Sequence, residues 1–215
     1  MTTELDVAGV RGMFVAACDA MLENIELLTH ADQAIGDGDH GVGMKRGFAA
    51  ALAFLNENEP ANVGEIFKGV GGAIMSASGG ASGAIFGTFF RAGNKSIGDA
   101  VMLDGAGFAA FLKAGLEAVE KRGGAAPGGK TMIDALDPAA TAASGAGEDL
   151  EAVLAAAAAA AKDGVEATKS MIATTGKART LGERSLGHPD PGAISLSIVL
   201  DAMAKAAAGA DAATA

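Results

Sequence analysis

Three carboxylates lie close together in one glycine-rich stretch of the sequence, which reads Asp32-Gln33-Ala34-Ile35-Gly36-Asp37-Gly38-Asp39-His40-Gly41-Val42-Gly43-Met44. Glycine has no Cβ atom and permits tight or left-handed backbone, so such a loop can turn its acids toward one point. Clustered carboxylates repel one another unless a cation lies among them. Hard cations such as Mg²⁺ and Ca²⁺ prefer oxygen ligands. The stretch therefore predicts a metal site at a helix junction, with Asp32, Asp37 and Asp39 as its ligands.

Two other interpretations of this stretch are weaker. A calcium-binding EF-hand that began at Asp37 would need glycine at its sixth position and glutamate at its twelfth, where the chain has Val42 and Phe48. A plain pair of helix caps with exposed acids would need one aspartate and does not account for three. The pattern therefore disfavours calcium signalling as the role of the loop.

The composition bounds the class of protein. The chain has 215 residues, of which 50% are hydrophobic and 4% aromatic, which favours one globular domain of closely packed helices over residues 1–215. A net charge of −10 argues against nucleic acid or an anionic membrane surface as a general partner. The single cysteine, Cys18, fits a buried thiol in a reducing compartment. Because neither a signal pattern nor a long charge-free apolar run is evident, we expect a cytoplasmic protein with no membrane segment.

Apolar residues recur at helical spacing through most of the chain, which predicts an all-α fold of about eight helices. The run Ile194–Leu200 alternates like a strand in its first half, but a lone strand would have nothing to pair with, so we assign it to the last helix. Asp99 is the expected N-cap of the fifth helix. The expected helices cover residues 7–29, 40 to before 60, 63–77, 85–90, 99–121, 131–143, 148–173 and 192–208.

Glycine-rich polar loops follow alternate helices, around residues 36–43, 78–83, 123–130 and 176–192. In an up-down bundle, loops after alternate helices lie at the same end, so we expect these four to converge on one site. Their carboxylates suit a metal, while glycine N–H groups and a helix N-terminus near His40 or Ser82 suit an anion. The combination predicts Mg²⁺ and phosphate chemistry.

Two further motifs match known patterns by their letters but lack the structural context. Gly124–Thr131 satisfies the P-loop pattern G-x-x-x-x-G-K-[ST], yet the residues before it are charged and helical, whereas a P-loop follows a buried strand. Gly80–Ala84 misses the last position of the nucleophile elbow and also lacks the strand. We therefore predict neither a P-loop NTPase nor a serine nucleophile.

Four motifs that occur in a fixed order together resemble the nucleotide-binding L subunit of dihydroxyacetone kinase. They are Ile35–Gly41 (IGDGDHG), Gly79–Gly83 (GGASG), Gly129–Met132 (GKTM) and Leu181–Ala193 (LGERSLGHPDPGA). The resemblance covers nearly the whole chain. It implies a barrel of eight antiparallel helices that binds ADP or ATP with two Mg²⁺ at one end.

The resemblance also implies roles for individual residues. Asp32, Asp37 and Asp39 would hold both Mg²⁺ ions. The family has a nucleotide-contacting arginine at the position of Lys177, and Arg179 lies two residues on, so either of these two could serve. Lysine is a point charge and cannot fork onto phosphate as arginine does. The other residues that would line the nucleotide are His40, Gly41, Val42, Gly43, Ala81, Ser82, Gly123, Met132, Asp190, Pro191 and Gly192.

The family has two branches. In one, ATP is the substrate and the L-like domain is fused to a K domain that holds the ketose. In the other, L is a separate subunit that keeps ADP and is rephosphorylated by a phosphotransferase-system protein drawing on phosphoenolpyruvate. His40, after Gly-Asp-Gly-Asp, favours the second branch, so the resemblance implies a phosphotransferase with an alcohol acceptor, a glycerone kinase subunit active only with its K partner.

Two alternatives stay open at the level of the sequence. One is an ATP-dependent kinase subunit for erythrulose or another small ketose. The other is a non-catalytic regulator that binds ADP and signals nucleotide state to a partner. The catalytic residues are unknown from the sequence, because no residue of the chain is identified as a base for the acceptor hydroxyl.

Overall fold

The computed structural model describes residues 3–210, so the predicted domain over 1–215 extends beyond the described residues at both ends. Nine α-helices, a two-stranded ribbon and one 3-10 segment, Lys177–Ser185, lie in this part of the chain. The strands are β1 (Glu4–Asp6) and β2 (Met102–Asp104). The helices are α1 (Val7–Glu23), α2 (Ile25–Ile35), α3 (His40–Glu57), α4 (Val63–Ala77), α5 (Gly80–Ile97), α6 (Gly105–Gly123), α7 (Ile133–Gly145), α8 (Leu150–Thr168) and α9 (Pro191–Ala210).

The long helices form a closed ring. From α3 to α9 each helix packs against the next in chain order, and α1 closes the ring by packing against both α3 and α9. The short helix α2 lies outside this order and contacts α3, α9 and the 3-10 segment. The prediction of an all-α fold with about eight antiparallel helices is therefore confirmed, and α2 is the additional helix.

Phenylalanine side chains fill the inside of the ring. Phe67 of α4 stands between Phe14 of α1 and Phe111 of α6, with ring centroids 4.8 Å and 4.6 Å apart. All three are buried. Burying one such side chain contributes about 1.5–3 kcal/mol, and each aromatic contact adds about 0.5–1.5 kcal/mol. The barrel is thus a packed core rather than a channel.

The expected first helix, residues 7–29, is two helices, and this changes the position of Asp32. Asn24 ends α1 and precedes α2, with φ −105° and ψ 16°, and its side-chain Nδ2 donates to the carbonyl of Ala20. An asparagine side chain that bonds to the backbone competes with the helical pattern and permits such a break. Asp32 consequently lies in the last turn of α2 and not in the glycine-rich loop.

The break predicted at residues 78–83 is shorter than expected. The helix predicted over residues 85–90 is longer, because α5 begins within the predicted break. Gly79 has φ +68°, which turns the chain sharply enough for α5 to begin at Gly80. The first residues of this glycine-rich motif are therefore helical, and Ala81 and Ser82 belong to the first turn of α5.

The predicted start of the fifth helix at Asp99 is wrong. Asp104 is the N-cap of α6, because its Oδ1 accepts a hydrogen bond of 2.7 Å from Gly107 N. The residues just before it form β2, which pairs antiparallel with β1 so that Leu103 stands opposite Leu5. Each strand has three residues, which is too short for an alternating pattern to be recognised.

Two other boundaries differ from the predictions. Helix α7 begins at Ile133 rather than at residue 131, and α8 ends at Thr168 rather than at residue 173. The loop predicted over 176–191 contains the 3-10 segment, and α9 begins at Pro191. The alanine run is helical as predicted, with Ala157 and Ala161 buried on α8.

Helix α9 is long and apolar enough by composition to cross a membrane. It packs between α8 and α1 in the ring, and Leu196, Val199 and Leu200 on its inner face are fully buried. A core helix of a globular fold has this composition, so the packing of α9 accounts for it.

The close approach of α7 and α8 depends on Gly164. A Cβ atom at this position would lie 2.4 Å from the carbonyl oxygen of Asp134 and 2.7 Å from Cα of Ala135, both backbone atoms of α7. We expect Gly164→Ala to lower the free energy of unfolding by about 1–3 kcal/mol, because α7 must shift. Denaturant titration measures this loss.

Gly72→Ala is the matched control for this substitution. Gly72 lies in the interior of α4, and a Cβ there would meet no atom within 4 Å. Alanine favours a helix over glycine by up to about 1 kcal/mol, so this variant should be as stable as the parent or more so. Equal stability of the two variants would contradict the close packing of α7 on α8.

Candidate functional site

The four glycine-rich loops converge at one end of the ring, as predicted, and surround a cavity of about 700 Å³. Ten of the residues predicted to contact a nucleotide line it. They are His40, Gly43, Ala81, Ser82, Gly123, Met132, Lys177, Asp190, Pro191 and Gly192. The three predicted metal ligands, Asp32, Asp37 and Asp39, line the same cavity.

The three aspartates offer a compact set of oxygen ligands. One carboxylate oxygen from each of Asp32, Asp37 and Asp39 lies within 4.8 Å of the other two. Asp32 is buried and its Oδ2 accepts a hydrogen bond of 3.1 Å from His40 N, whereas the other two are exposed in the loop. A donor set made only of carboxylates suits a hard cation such as Mg²⁺.

Glycines let the chain pass close to these acids. A Cβ atom on Gly36 would lie 2.2 Å from Asp32 Oδ1, so any larger residue would displace this carboxylate. Gly38 has φ +79°, a backbone conformation that side chains other than glycine rarely adopt. Both glycines are therefore needed to bring Asp37 and Asp39 back toward Asp32.

Lys177 reaches the same cluster from the start of the 3-10 segment. Its Nζ donates to Oδ2 of Asp37 and lies 2.9 Å from Oδ2 of Asp39. The hydrogen bond from Lys177 holds the pKa of Asp37 below its usual value, and the two carboxylates raise the pKa of Lys177. An ammonium group thus lies against two of the three acids.

His40 connects α3 to α9 at the site. It begins α3, and its Nε2 lies 2.8 Å from Oγ of Ser195, a buried residue of α9. Burial lowers the pKa of His40, although Asp32 and Asp39 partly oppose this. A neutral ring at this position favours a role in fixing α3 against α9 over a role as a cation.

The N-terminus of α5 forms another wall of the cavity. Ala81 and Ser82 lie in its first turn, where backbone N–H groups have no partner within the helix. Arg46 of α3 lines the cavity beside this turn and donates from Nη2 to the carbonyl of Ser78, at 2.7 Å. A helix N-terminus with an adjacent guanidinium group is a site suited to an anion.

The segment that matches the P-loop pattern, Gly124–Thr131, has a structural role through Lys130. The residues before it belong to α6 and not to a strand, which confirms the prediction that it is no P-loop. Lys130 is only 2% exposed, and its Nζ donates to the carbonyls of Thr168 and His188, at 2.5 Å each. It therefore ties the end of α8 to the segment that leads into α9.

Two buried or half-buried carboxylates complete this junction. Asp134 accepts from the backbone N–H groups of Gly128 and Thr131, which fixes the loop before α7. Asp190 Oδ2 accepts from Ala193 N at the start of α9, and Asp190 N donates to Thr168 Oγ1. Burial raises the pKa of Asp190 to about 7, despite the nearby Lys130. The Asp190–Gly192 wall is thus bonded to the end of α8, and Asp190 caps the start of α9.

Three predicted contact residues do not line the cavity. Gly41 packs against α2, where a Cβ would lie 2.1 Å from Thr29 Oγ1, and Val42 is 49% exposed on the outside of α3. Arg179 also lies outside the lining, in contrast to Lys177. These positions do not test the nucleotide contacts, which stay predictions for the whole set.

Other lining residues were missed by the sequence analysis. Arg46, Arg122, Lys130 and Thr131 all lie in or next to the converging loops. Their position beside the four loops was the available signal, since a helix end that joins a site loop projects its side chains near that site. Ser195 could not be found in this way, because it lies in the apolar run of α9.

The buried ammonium of Lys130 should stabilise the fold. Lys130→Met keeps the length of the side chain but leaves the carbonyls of Thr168 and His188 without this donor. We expect the free energy of unfolding to fall by about 1–3 kcal/mol. Lys113→Met, on an exposed position of α6, is the control and should change it by less than about 0.5 kcal/mol. Equal effects of the two substitutions would show that Lys130 does not hold this junction.

Comparisons with known proteins identify relatives along nearly the whole chain. The family described as the DAK2 domain matches residues 34–205. The PEP-dependent dihydroxyacetone kinase 1, ADP-binding subunit DhaL, of Listeria innocua is 43% identical over 181 residues, which cover 84% of this chain and 87% of the relative. The corresponding DhaL subunit of Escherichia coli is 37% identical over 185 residues, with coverage of 85% and 88%.

Longer relatives contain a region of the same kind. The L-erythrulose kinase of Pectobacterium atrosepticum is 38% identical over 193 residues, which are 87% of this chain but 33% of that protein. The crystal structure of the dihydroxyacetone kinase from C. freundii in complex with AMP-PNP and Mg²⁺ superposes with a TM-score of 0.72 at 28% identity. It covers 95% of this chain, which spans 35% of that structure. The resemblance found in the four motifs is confirmed, and the chain belongs to the DAK2 domain family.

Proposed function

We propose that this chain is the ADP- or ATP-binding phosphotransfer subunit of a dihydroxyacetone kinase. It passes a phosphoryl group through its bound nucleotide to dihydroxyacetone, or a similar small ketose, held on a partner K subunit. The observation that carries the proposal is the cavity, where an all-carboxylate cluster lies beside the N-termini of α3 and α5. The subunits from Listeria innocua and Escherichia coli, which this chain matches over most of their length, support it.

The carboxylate cluster would hold the metal. Asp32, Asp37 and Asp39 fit Mg²⁺ by the chemistry of their oxygens, and we place two ions there by the resemblance. When bound, Mg²⁺ would neutralise phosphate oxygens in the transition state. Asp32 is the most buried of the three, and its hydrogen bond from His40 N fixes its orientation.

The remaining walls would hold the nucleotide. The first turn of α5 would direct backbone N–H groups toward phosphate through Ala81 and Ser82, and His40 and Gly43 of α3 line the same cavity. Gly123, Met132 and Asp190–Gly192 would enclose the rest of the nucleotide. Lys177 is favoured over Arg179 as the phosphate-contacting cation, because only Lys177 lines the cavity.

Positioning and electrostatics are the contribution of this chain to the reaction. The cavity collects a helix N-terminus and Arg46 around the place for the phosphates, so charge that develops there is met by groups already in position. Lys177 lines the same cavity. We assign no acid or base on this chain. The ketose and the group that activates its hydroxyl would belong to the partner K subunit.

We further propose that the nucleotide is recharged by a phosphotransferase-system protein in the cytoplasm, drawing on phosphoenolpyruvate. The relatives from Listeria innocua and Escherichia coli are subunits of PEP-dependent kinases, and a similar subunit from Lactococcus lactis belongs to a PTS-dependent kinase, which supports this donor. The second candidate is an ATP-dependent kinase of erythrulose. It is favoured by the L-erythrulose kinase relative, but this chain matches only 33% of that protein.

Asp37→Asn tests the metal site. Loss of one charge should weaken the binding of ADP in the presence of Mg²⁺ by about tenfold or more, because a charged ligand to metal is removed. Calorimetric titration measures the affinity, and formation of ketose phosphate with a K subunit and the phosphoryl-donor protein measures transfer. Asp99→Asn makes the same charge change at an exposed residue outside the cavity and should leave both unchanged. Unchanged affinity and transfer in Asp37→Asn would show that the metal site is misplaced.

Retention of nucleotide tests the donor. A carrier subunit recharged by another protein should keep ADP through extended dialysis with Mg²⁺, whereas an ATP-consuming kinase should exchange nucleotide freely. The released nucleotide is measured by chromatography after denaturation of the dialysed protein. Free exchange of ATP at a rate that matches turnover would favour the erythrulose kinase candidate.

A further inference from the structure

Lys177 lies where it competes with a metal for two of its ligands. Its Nζ donates to Oδ2 of Asp37 and lies 2.9 Å from Oδ2 of Asp39. A Mg²⁺ ion bound by both acids would lie about 2.0–2.1 Å from their oxygens. An ion there and the ammonium group would be close like charges, which repel each other strongly. Lys177 and a metal therefore cannot both engage this pair of carboxylates.

We propose that Lys177 acts as an internal competitor of the metal and, when nucleotide binds, moves from Asp37 and Asp39 to a phosphate group. The move to phosphate rests on the proposed function, whereas the competition rests on the contacts of Lys177 alone. In this scheme the phosphate removes the competitor, so nucleotide and metal each raise the affinity of the chain for the other.

The surroundings of Lys177 allow this exchange of partners. Its side chain is 58% exposed, and those of Asp37 and Asp39 are 50% and 70% exposed. Ion pairs with such exposure are weak because solvent screens them, so they can be broken at little cost. Lys177 also lines the cavity, so its long side chain can turn toward a ligand there without a change of fold.

Asp32 is exempt from the competition. It is buried, and its Oδ2 accepts a hydrogen bond from His40 N. No hydrogen bond or ion pair between Lys177 and Asp32 occurs among the residues that the structure describes. One metal ligand is thus always available, and Lys177 controls the other two.

A lysine suits this function better than an arginine would. The ammonium group is a compact charge with three donors, so it can bridge two carboxylates as a metal ion does. A guanidinium group is planar and pairs bidentately with one carboxylate or one phosphate. The residue type at position 177 therefore determines how strongly the chain excludes metal before nucleotide binds.

The test is a titration of the full chain with Mn²⁺, a paramagnetic substitute for Mg²⁺, in which electron paramagnetic resonance measures the free ion. The parent and Lys177→Gln are each titrated without nucleotide and with saturating ADP. Without nucleotide, Lys177→Gln should bind Mn²⁺ about three- to tenfold more tightly than the parent, because two exposed ion pairs no longer oppose the metal. With ADP, the order should reverse, because the variant has lost its contact to phosphate.

Lys169→Gln is the matched control. Lys169 carries the same charge on the segment that precedes Lys177, but its partner is Glu166. Its removal should change Mn²⁺ affinity by less than about twofold, since its charge is screened at a distance. An equal gain of Mn²⁺ affinity in the two variants would show that the change in net charge causes the effect, and it would overturn the proposed competition.

The remaining outcomes are also decisive. Unchanged or weaker Mn²⁺ binding by Lys177→Gln without nucleotide would overturn the competition. A gain that persists with ADP would overturn the move of Lys177 to phosphate. Absence of ADP binding in every variant would count against the proposed function, and the titration without nucleotide would still decide whether Lys177 competes with the metal.

Discussion

The packing of α9 against α1 is the constraint on which the site depends, because it closes the ring. The last helix of the described chain thereby lies beside the first, and the segment that leads into α9 meets the loop that leads into α3. The contact between His40 and Ser195 fixes this meeting point at the site itself. A cavity built from four loops far apart in sequence exists only because the ring is closed.

Several cationic side chains line the cavity, although the net charge of the whole chain is −10. Arg46, Arg122, Lys130 and Lys177 all line the cavity, together with the three aspartates proposed as metal ligands. Of these cations, Lys130 is buried and donates to two backbone carbonyls, so it stabilises the fold. Lys177 is exposed and can change its hydrogen-bond partners. The difference in burial thus gives two lysines different roles: Lys130 stabilises the fold, and Lys177 is available to a ligand.

Helical periodicity and glycine spacing were enough to predict the all-α fold, a site at one end of the ring and the clustering of the three aspartates, because each of these leaves a local pattern in the sequence. The break at Asn24 and the N-cap at Asp104 were not predictable, since one side-chain bond and one three-residue strand decide them. The same holds for Lys130, whose carbonyl partners lie far along the chain. Contacts between distant segments leave no periodicity in the sequence.

The phenylalanine-filled interior has a consequence for the order of events. Because phenylalanines fill the ring, the mouth of the cavity lies at the end where the loops converge. Under the proposed function, the protein that delivers a phosphoryl group and the subunit that receives it must both approach through this mouth. They must take turns, so the chain would work as a shuttle that releases one protein before it meets the other.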